Sequence, residues 1–220
     1  MKMPGSRSAT LQFTNLLSSL RAELRAAGFR SSGHRWTIES PETIGVLDFQ
    51  RSSSSSRQSV RFTINLGVFS RPVARFLRSD SAHHAPRIED CHWRQRIGLL
   101  LPQHSDHWWT ISPECDLTAL SEELRHVLRE FAIPAVVSRL SAPALLNELQ
   151  HGEISGVTKV DRMVYLIILA RVLGRAALAA ETSTTLANDA QGRPWQRTAE
   201  IHLRRIAEMT PERDPNSPAA

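Results

Sequence analysis

Apolar residues recur at three- and four-residue steps through Leu11, Phe13, Leu16, Leu17, Leu20 and Leu24, which gathers them on one face of a helix, and Gly28 follows as its C-terminal cap. Beyond it the period shortens to two. The runs HRWTI (34–38), TIGVLDFQRS (43–52) and VRFTINLGVF (60–69) are β-branched and aromatic, and turn residues separate them, so they predict three strands. In the third, Phe62, Ile64, Leu66 and Val68 alternate with Arg61, Thr63, Asn65 and Gly67, giving one buried face and one that is solvated or functional. The serine run Ser52–Ser56 reads as a flexible hairpin loop. SRPVARFLRSDSAHHAPRIED (70–90) has no sustained period and predicts an excursion off the sheet with one helical turn near Val73–Leu77. Trp93, Gln95, Ile97, Leu99 and Leu101 then alternate with Arg94, Arg96, Gly98 and Leu100, and WWTI follows the turn PQHSDH. Together these predict a hairpin of a fourth and a fifth strand.

From Asp116 the helical period returns. Leu117, Leu120, Leu124, Val127, Leu128 and Phe131 share a face, and Pro134 starts a new helix because it has no N–H to continue the old one. Ser141 caps a short helix with Pro143 in its first turn and Gly152 after its end. Residues 160–180 predict one long apolar helix and 196–209 a last amphipathic one. The pattern as a whole predicts an α+β fold, a mostly antiparallel sheet of four to five strands with an N-terminal helix and a C-terminal helical cluster packed on it. It divides the chain into a disordered start (1–10), an α+β domain (11–152), an appended helical region (153–209) and a polar, Pro-rich tail (210–220).

Composition narrows the picture less than the pattern does. A chain of 220 residues buries a sizeable core without disulfide or metal, and 41% apolar with 22% charged residues is ordinary globular usage. The first nine residues lack an apolar run behind Lys2, and the longest apolar run, Met163–Ala170, is too short to span a bilayer, so a cytoplasmic protein with Cys91 and Cys115 as thiols is expected. The net charge of +5 comes almost wholly from arginine, and its excess is N-terminal: 13 basic against 7 acidic residues up to Asp90. That diffuse excess keeps nucleic-acid binding open without favouring it, since a nucleic-acid footprint is a dense stripe with aromatics interleaved.

The order helix, GF, strand, DFQRS, RFTINLGVF, WRQRIG, HWWTI and then FAIPAVVSRL resembles the uncharacterised bacterial family called domain of unknown function 4304 (DUF4304), over roughly residues 11–152. FTINLGV is the most specific element of the likeness. The resemblance implies a fold and no established activity, so it supplies no catalytic residue.

Candidate chemistry concentrates in residues 91–110, CHWRQRIGLLLPQHSDHWWT, which hold three of the five tryptophans and three of the nine histidines. Cys91, His92, His104 and His107, with His83 and His84 nearby, are zinc-ligand types, but adjacent Cys91 and His92 point to opposite sides of a strand and no C-x-x-C knuckle exists, so neither a metal nor any other cofactor is expected. Trp93 and Trp109 share phase with apolar neighbours and read as core, whereas Trp108 faces the other way. Thr63, Asn65, Arg94, Arg96, Trp108 and either Gln50 or Arg51 then converge on the outer sheet face, an amide, guanidinium and indole surface suited to another protein or a small anionic ligand. No nucleophile elbow, H-E-x-x-H, P-loop or G-x-G-x-x-G is present. The expectation is a non-enzymatic interaction or ligand-binding module, of immunity type among other options. Nucleic-acid binding through the basic N-terminal part and a metal-dependent hydrolase built on the His-rich loops stand as alternatives.

Overall fold

The computed structural model describes residues 8–77, 86–151 and 154–209. His83, His84, Gly152 and the tail 210–220 lie outside the described residues.

The fold is α+β. Six antiparallel strands form one sheet: β1 (Arg30–Ser32), β2 (Arg35–Glu39), β3 (Thr43–Arg51), β4 (Val60–Ser70), β5 (Trp93–Arg96) and β6 (Trp109–Ile111). The order is β1-β2-β3-β4, with β5 and β6 both on the far side of β4. β1 adds a strand that the pattern did not announce.

The expected hairpin of the fourth and fifth strands is not formed. β5 pairs with β4 from Asn65↔Arg96 to Val68↔Trp93, and β6 pairs with the same edge of β4 from Val60↔Ile111 to Phe62↔Trp109. The two are pieces of one line, interrupted by an excursion over residues 97–108. The chain leaves the sheet because Ile97–Leu99 winds into a 3-10 turn, which buries Ile97 and leaves Leu99 36% exposed, against the alternation expected there. Gly98 closes the excursion: a Cβ on it would lie 2.1 Å from the Ser105 carbonyl oxygen and 2.6 Å from the His107 nitrogen.

The N-terminal helix begins earlier than expected and is split. Ser8 caps α1 (Ala9–Ser19) by accepting the Leu11 N–H, and Ala9 is buried, so the helix reaches into the stretch expected to be disordered. The turn at Leu20 leads into α2 (Arg21–Ala26), and Leu11 stands half exposed on the outside of α1. The serine loop is hydrogen-bonded rather than loose. The Ser55 hydroxyl donates to the Arg61 carbonyl and accepts the Arg61 N–H, and Ser56 accepts from Gln58 and Ser59. α3 (Arg71–Leu77) follows β4, and later a 3-10 turn (Ile88–Asp90) leads into β5. α4 (Leu117–Val127) runs through a π-helical turn (Leu128–Ala132) into α5 (Ile133–Val137), with Pro134 in its first turn. α6 (Ala142–His151) is capped by the Ser141 hydroxyl as expected. The single long helix expected over 160–180 is two: α7 (Lys159–Val172) stops at Gly174, whose φ of +68° favours glycine, and α8 (Ala176–Ala190) follows. α9 (Gln196–Ala207) closes the fold.

The inner sheet face carries Trp36, Leu47, Phe49, Phe62, Ile64, Leu66, Val68, Trp93 and Trp109, all nearly or fully buried in a core continuous with Leu124, Ile167, Leu186 and Ile206 of the helices. The appended helices thus share the main core. The outer face has a smaller second core at one end, where Ile44, Val46 and Phe69 meet Ala74 of α3 and Cys91. Gly67 lets that cover approach; a Cβ there would sit 2.6 Å from the Cys91 sulfur.

Candidate functional site

At the other end of the outer face, cross-strand pairing sets the site. Antiparallel partners share a face, so Arg35↔Asp48, Asp48↔Asn65 and Asn65↔Arg96 form one row of side chains across β2, β3, β4 and β5, and Gln50↔Thr63 begins the next. The same register places Arg51 opposite Phe62, on the inner side, where its guanidinium lies 5.9 Å from the centre of the Phe13 ring. Of the pair Gln50 and Arg51, only Gln50 belongs to the outer face.

Thr63 and Asn65 lie on this face but are not available to a ligand. Thr63 is fully buried and donates its hydroxyl to the His107 carbonyl at 2.8 Å, because the excursion folds back over it. Asn65 is 9% exposed and donates to Gln50 Oε1 at 2.7 Å. Arg94 shares their phase yet turns away, its guanidinium donating to the carbonyls of Glu89 and Gly156. These three residues hold the face together.

What remains accessible centres on Trp108. Its indole N–H donates to Asp106 Oδ2 at 2.7 Å, and Arg96 donates to Asp106 Oδ1 at 2.8 Å, so one carboxylate fixes both the ring and a guanidinium. The Arg96 guanidinium carbon lies 5.4 Å from the centre of the Trp108 ring and that of Arg61 lies 5.0 Å from it. Trp108 is half-buried and Arg61 exposed. The two hydrogen bonds, from Trp108 first and then from Arg96, hold the Asp106 carboxyl below its ordinary range. Arg96 is therefore already paired with an anion, whereas the Arg61 guanidinium has no acceptor among the described residues. Asp48, beside this cluster, is pushed up by burial, against the pull of Arg35 at 3.8 Å.

Arg96 and Trp108 lie on the outer face, where the alternation put them, beside Arg61, Asp106, Asp48 and Arg35, which the sequence reading did not include in that surface. The alternation of β4 already put Arg61 in phase with Thr63 and Asn65, so that signal was there to use. Asp106 carried none, since its position depends on how the excursion folds. The half-burial of Asp48 follows from its cross-strand neighbours Arg35 and Asn65, which the sequence alone does not pair with it.

The metal-ligand types do not assemble. Cys91 is buried and its thiol donates to the Arg87 carbonyl at 3.3 Å; burial pushes it far above its ordinary range. His92 is buried, accepts the Ser70 N–H on Nδ1 at 2.9 Å and packs against Phe69 and Tyr165. His104 stands exposed at a φ of +44°, with Nδ1 3.0 Å from the Leu99 carbonyl oxygen, and His107 packs edge-on to Trp109. Among the described residues no group of three or more His, Cys, Asp and Glu could hold a metal ion, and no helix is long and apolar enough to cross a membrane. Two clefts of about 300 Å³ lie elsewhere, between α1 and α4 and between α8 and α9. The Trp108 site is thus a surface, suited to a partner that brings its own shape.

The model of a family described as "Domain of unknown function (DUF4304)" matches residues 20–137. That span contains all six strands and every residue of the Arg61–Trp108–Arg96 cluster, and it ends at the last residue of α5, leaving α6 to α9 beyond it. No curated protein and no solved structure matches the chain.

Proposed function

The chain belongs to the DUF4304 family, and on that premise we propose that it is a non-enzymatic, cytoplasmic binding module that recognises another protein through Trp108, Arg61 and Arg96. The observation that carries the reading is the fixed Trp108 ring, half-buried under two guanidinium groups and tied by Asp106. Interfaces concentrate their energy in tryptophan and arginine, because a rigid ring and a planar fork give large contact area for little lost freedom. A ring already held in place loses less still on binding. The two free cysteines, Cys91 and Cys115, suit a reducing compartment.

A nucleic-acid reading has less behind it. Asp106 and Asp48 stand among the arginines of this face, and two guanidiniums already occupy the Trp108 indole. The test is comparative capture from native cell extract, treated with nuclease, using the wild-type chain and the double variant Trp108→Ala with Arg96→Ala. A protein retained by the wild type and lost by the variant, with both giving the same circular dichroism, is the expected result. Equal capture by both chains, or capture that disappears with nuclease, rules the reading out.

A further inference from the structure

β6 ends its side of the sheet, and the direction of its free backbone groups follows from Arg61. The Arg61 N–H donates to the Ser55 hydroxyl and its carbonyl accepts the Ser52 N–H, so both backbone groups point to the β3 side. Backbone direction alternates along a strand, so Val60 and Phe62 turn theirs toward β6, where Ile111 and Trp109 are their partners. Thr110, opposite Arg61, therefore directs its N–H and C=O away from β4. Thr110 is exposed, and among the described residues nothing pairs with those two groups. The side chains of Thr110, Arg61 and Trp108 share the outer face, so an unpaired strand edge, an indole and a guanidinium without an acceptor lie side by side.

We propose, resting on the binding-module reading, that the partner docks by adding an extended acidic segment as a new strand beside β6. Its backbone pairs with Thr110, a glutamate or aspartate carboxylate takes the Arg61 fork, and an apolar side chain lies against Trp108. The charge of Arg61 selects the acid, since Arg61 and Arg96 have the single carboxylate of Asp106 between them and only Arg96 bonds it. A second copy of this chain does not fit the edge, because β6 itself offers only Trp109, Thr110 and Ile111 and no carboxylate to answer Arg61. A polyphosphate does not fit either, because it has no peptide groups with which to answer Thr110.

The probe is a short acetylated and amidated peptide of the repeat Glu-Thr-Val-Thr (the Glu–Val peptide), which sets glutamate and valine on one strand face, with a counterpart in which Gln replaces Glu (the Gln–Val peptide), titrated into the full chain and followed by amide NMR and calorimetry. The Glu–Val peptide should shift the Thr110 amide downfield, slow its hydrogen exchange, and bind roughly tenfold more tightly than the Gln–Val peptide. Arg61→Gln should bring the two peptides to equal affinity. Thr110→Pro should weaken both, because proline removes the outward N–H while leaving the ladder to β4 intact. An unchanged Thr110 amide in the wild-type chain overturns strand addition, and this readout stands even if the proline variant fails to fold. If the amide is silent while Trp108→Ala still abolishes capture of the cellular partner, the binding module survives and only its docking mode is wrong. Equal binding of the two peptides by the wild type removes the acidic specificity.

Discussion

Acidification should destabilise this fold through His92. The ring is 3% exposed, lies between Phe69 and Tyr165, and uses Nδ1 as acceptor for the Ser70 N–H at 2.9 Å. Protonation puts a hydrogen on that nitrogen, so it costs both a buried charge and the Ser70 bond. Burial accordingly lowers the His92 pKa from 6.5 to about 3, with the nearby Arg94 guanidinium adding to the shift. The unfolded chain then binds one more proton than the folded one between about pH 6.5 and pH 3, so stability falls as pH falls through that window and is unaffected above it. Each pH unit inside the window is worth about 1.4 kcal/mol, so going from pH 6.5 to 4.5 should remove roughly 2 to 3 kcal/mol, a large share of a typical domain's margin. Urea unfolding at stepped pH measures it. His92→Asn supplies the control, because its amide oxygen can still accept from Ser70 but does not titrate; it should be less stable at pH 7 from lost ring contacts and flatter toward acid. If wild type and His92→Asn lose stability in parallel below pH 6, the histidine is not held neutral and the reasoning fails.

Two further substitutions compare the inner core with the cover over the outer face. Ile64→Ala should cost about 2–5 kcal/mol by opening a cavity in the inner core, and Thr63→Val about 1–3 kcal/mol by leaving the His107 carbonyl buried without its donor. Chemical denaturation reads both, and a harmless Thr63→Val would mean that the excursion does not seal this end of β4. Gly67→Ala should cost about 1–3 kcal/mol through the approach of its new methyl to Cys91, and Cys91→Ala in that background should recover part of the loss. Strictly additive effects would show that the two positions do not touch.

The strands that the sequence announced best are those whose two faces differ most in polarity. β4 shows its inner row in Phe62, Ile64, Leu66 and Val68, and all four are fully buried. The break between β5 and β6 was illegible for a physical reason: WRQRIGLLL alternates as a strand would, and the contact that ends it, Gly98 against the backbone of Ser105 and His107, is made only once the excursion has folded back. The same limit governs the site. Phase alone separated Trp108 from Trp109 and aligned Arg96 with Asn65, yet choosing Gln50 over Arg51 required the register between β3 and β4. That Thr63 is sealed while Arg61, two residues away, is open depends on what covers the sheet, and a strand's own alternation carries no information about its cover. In the helical part the apolar run passed smoothly across Gly174 into Ala176–Ala179, so apolarity hid a boundary that the glycine marked.

The arginine surplus takes on a different meaning once its partners are visible. Arg162 donates to the carbonyls of Leu149 and Gln150 at the end of α6, Arg171 to those of Ile206 and Met209 at the end of α9, and Arg205 to that of Phe76 near the end of α3. Each closes a helix C-terminus, where unpaired carbonyls and the negative end of the helix dipole favour a cation with several fixed donors. Arg94 does the same for the Gly156 carbonyl in the connection before α7. Such guanidiniums are bound to the protein's own backbone and are not free to meet phosphates, so a formal charge of +5 overstates the charge offered to a polyanion. On the outer face Arg96 is likewise matched by Asp106, and Arg35 faces Asp48. Beyond these paired arginines the outer face holds Arg61, which among the described residues bonds no acceptor: it stacks on the indole beside the unpaired strand edge and has only the field of Asp106, a carboxylate already bonded to Arg96.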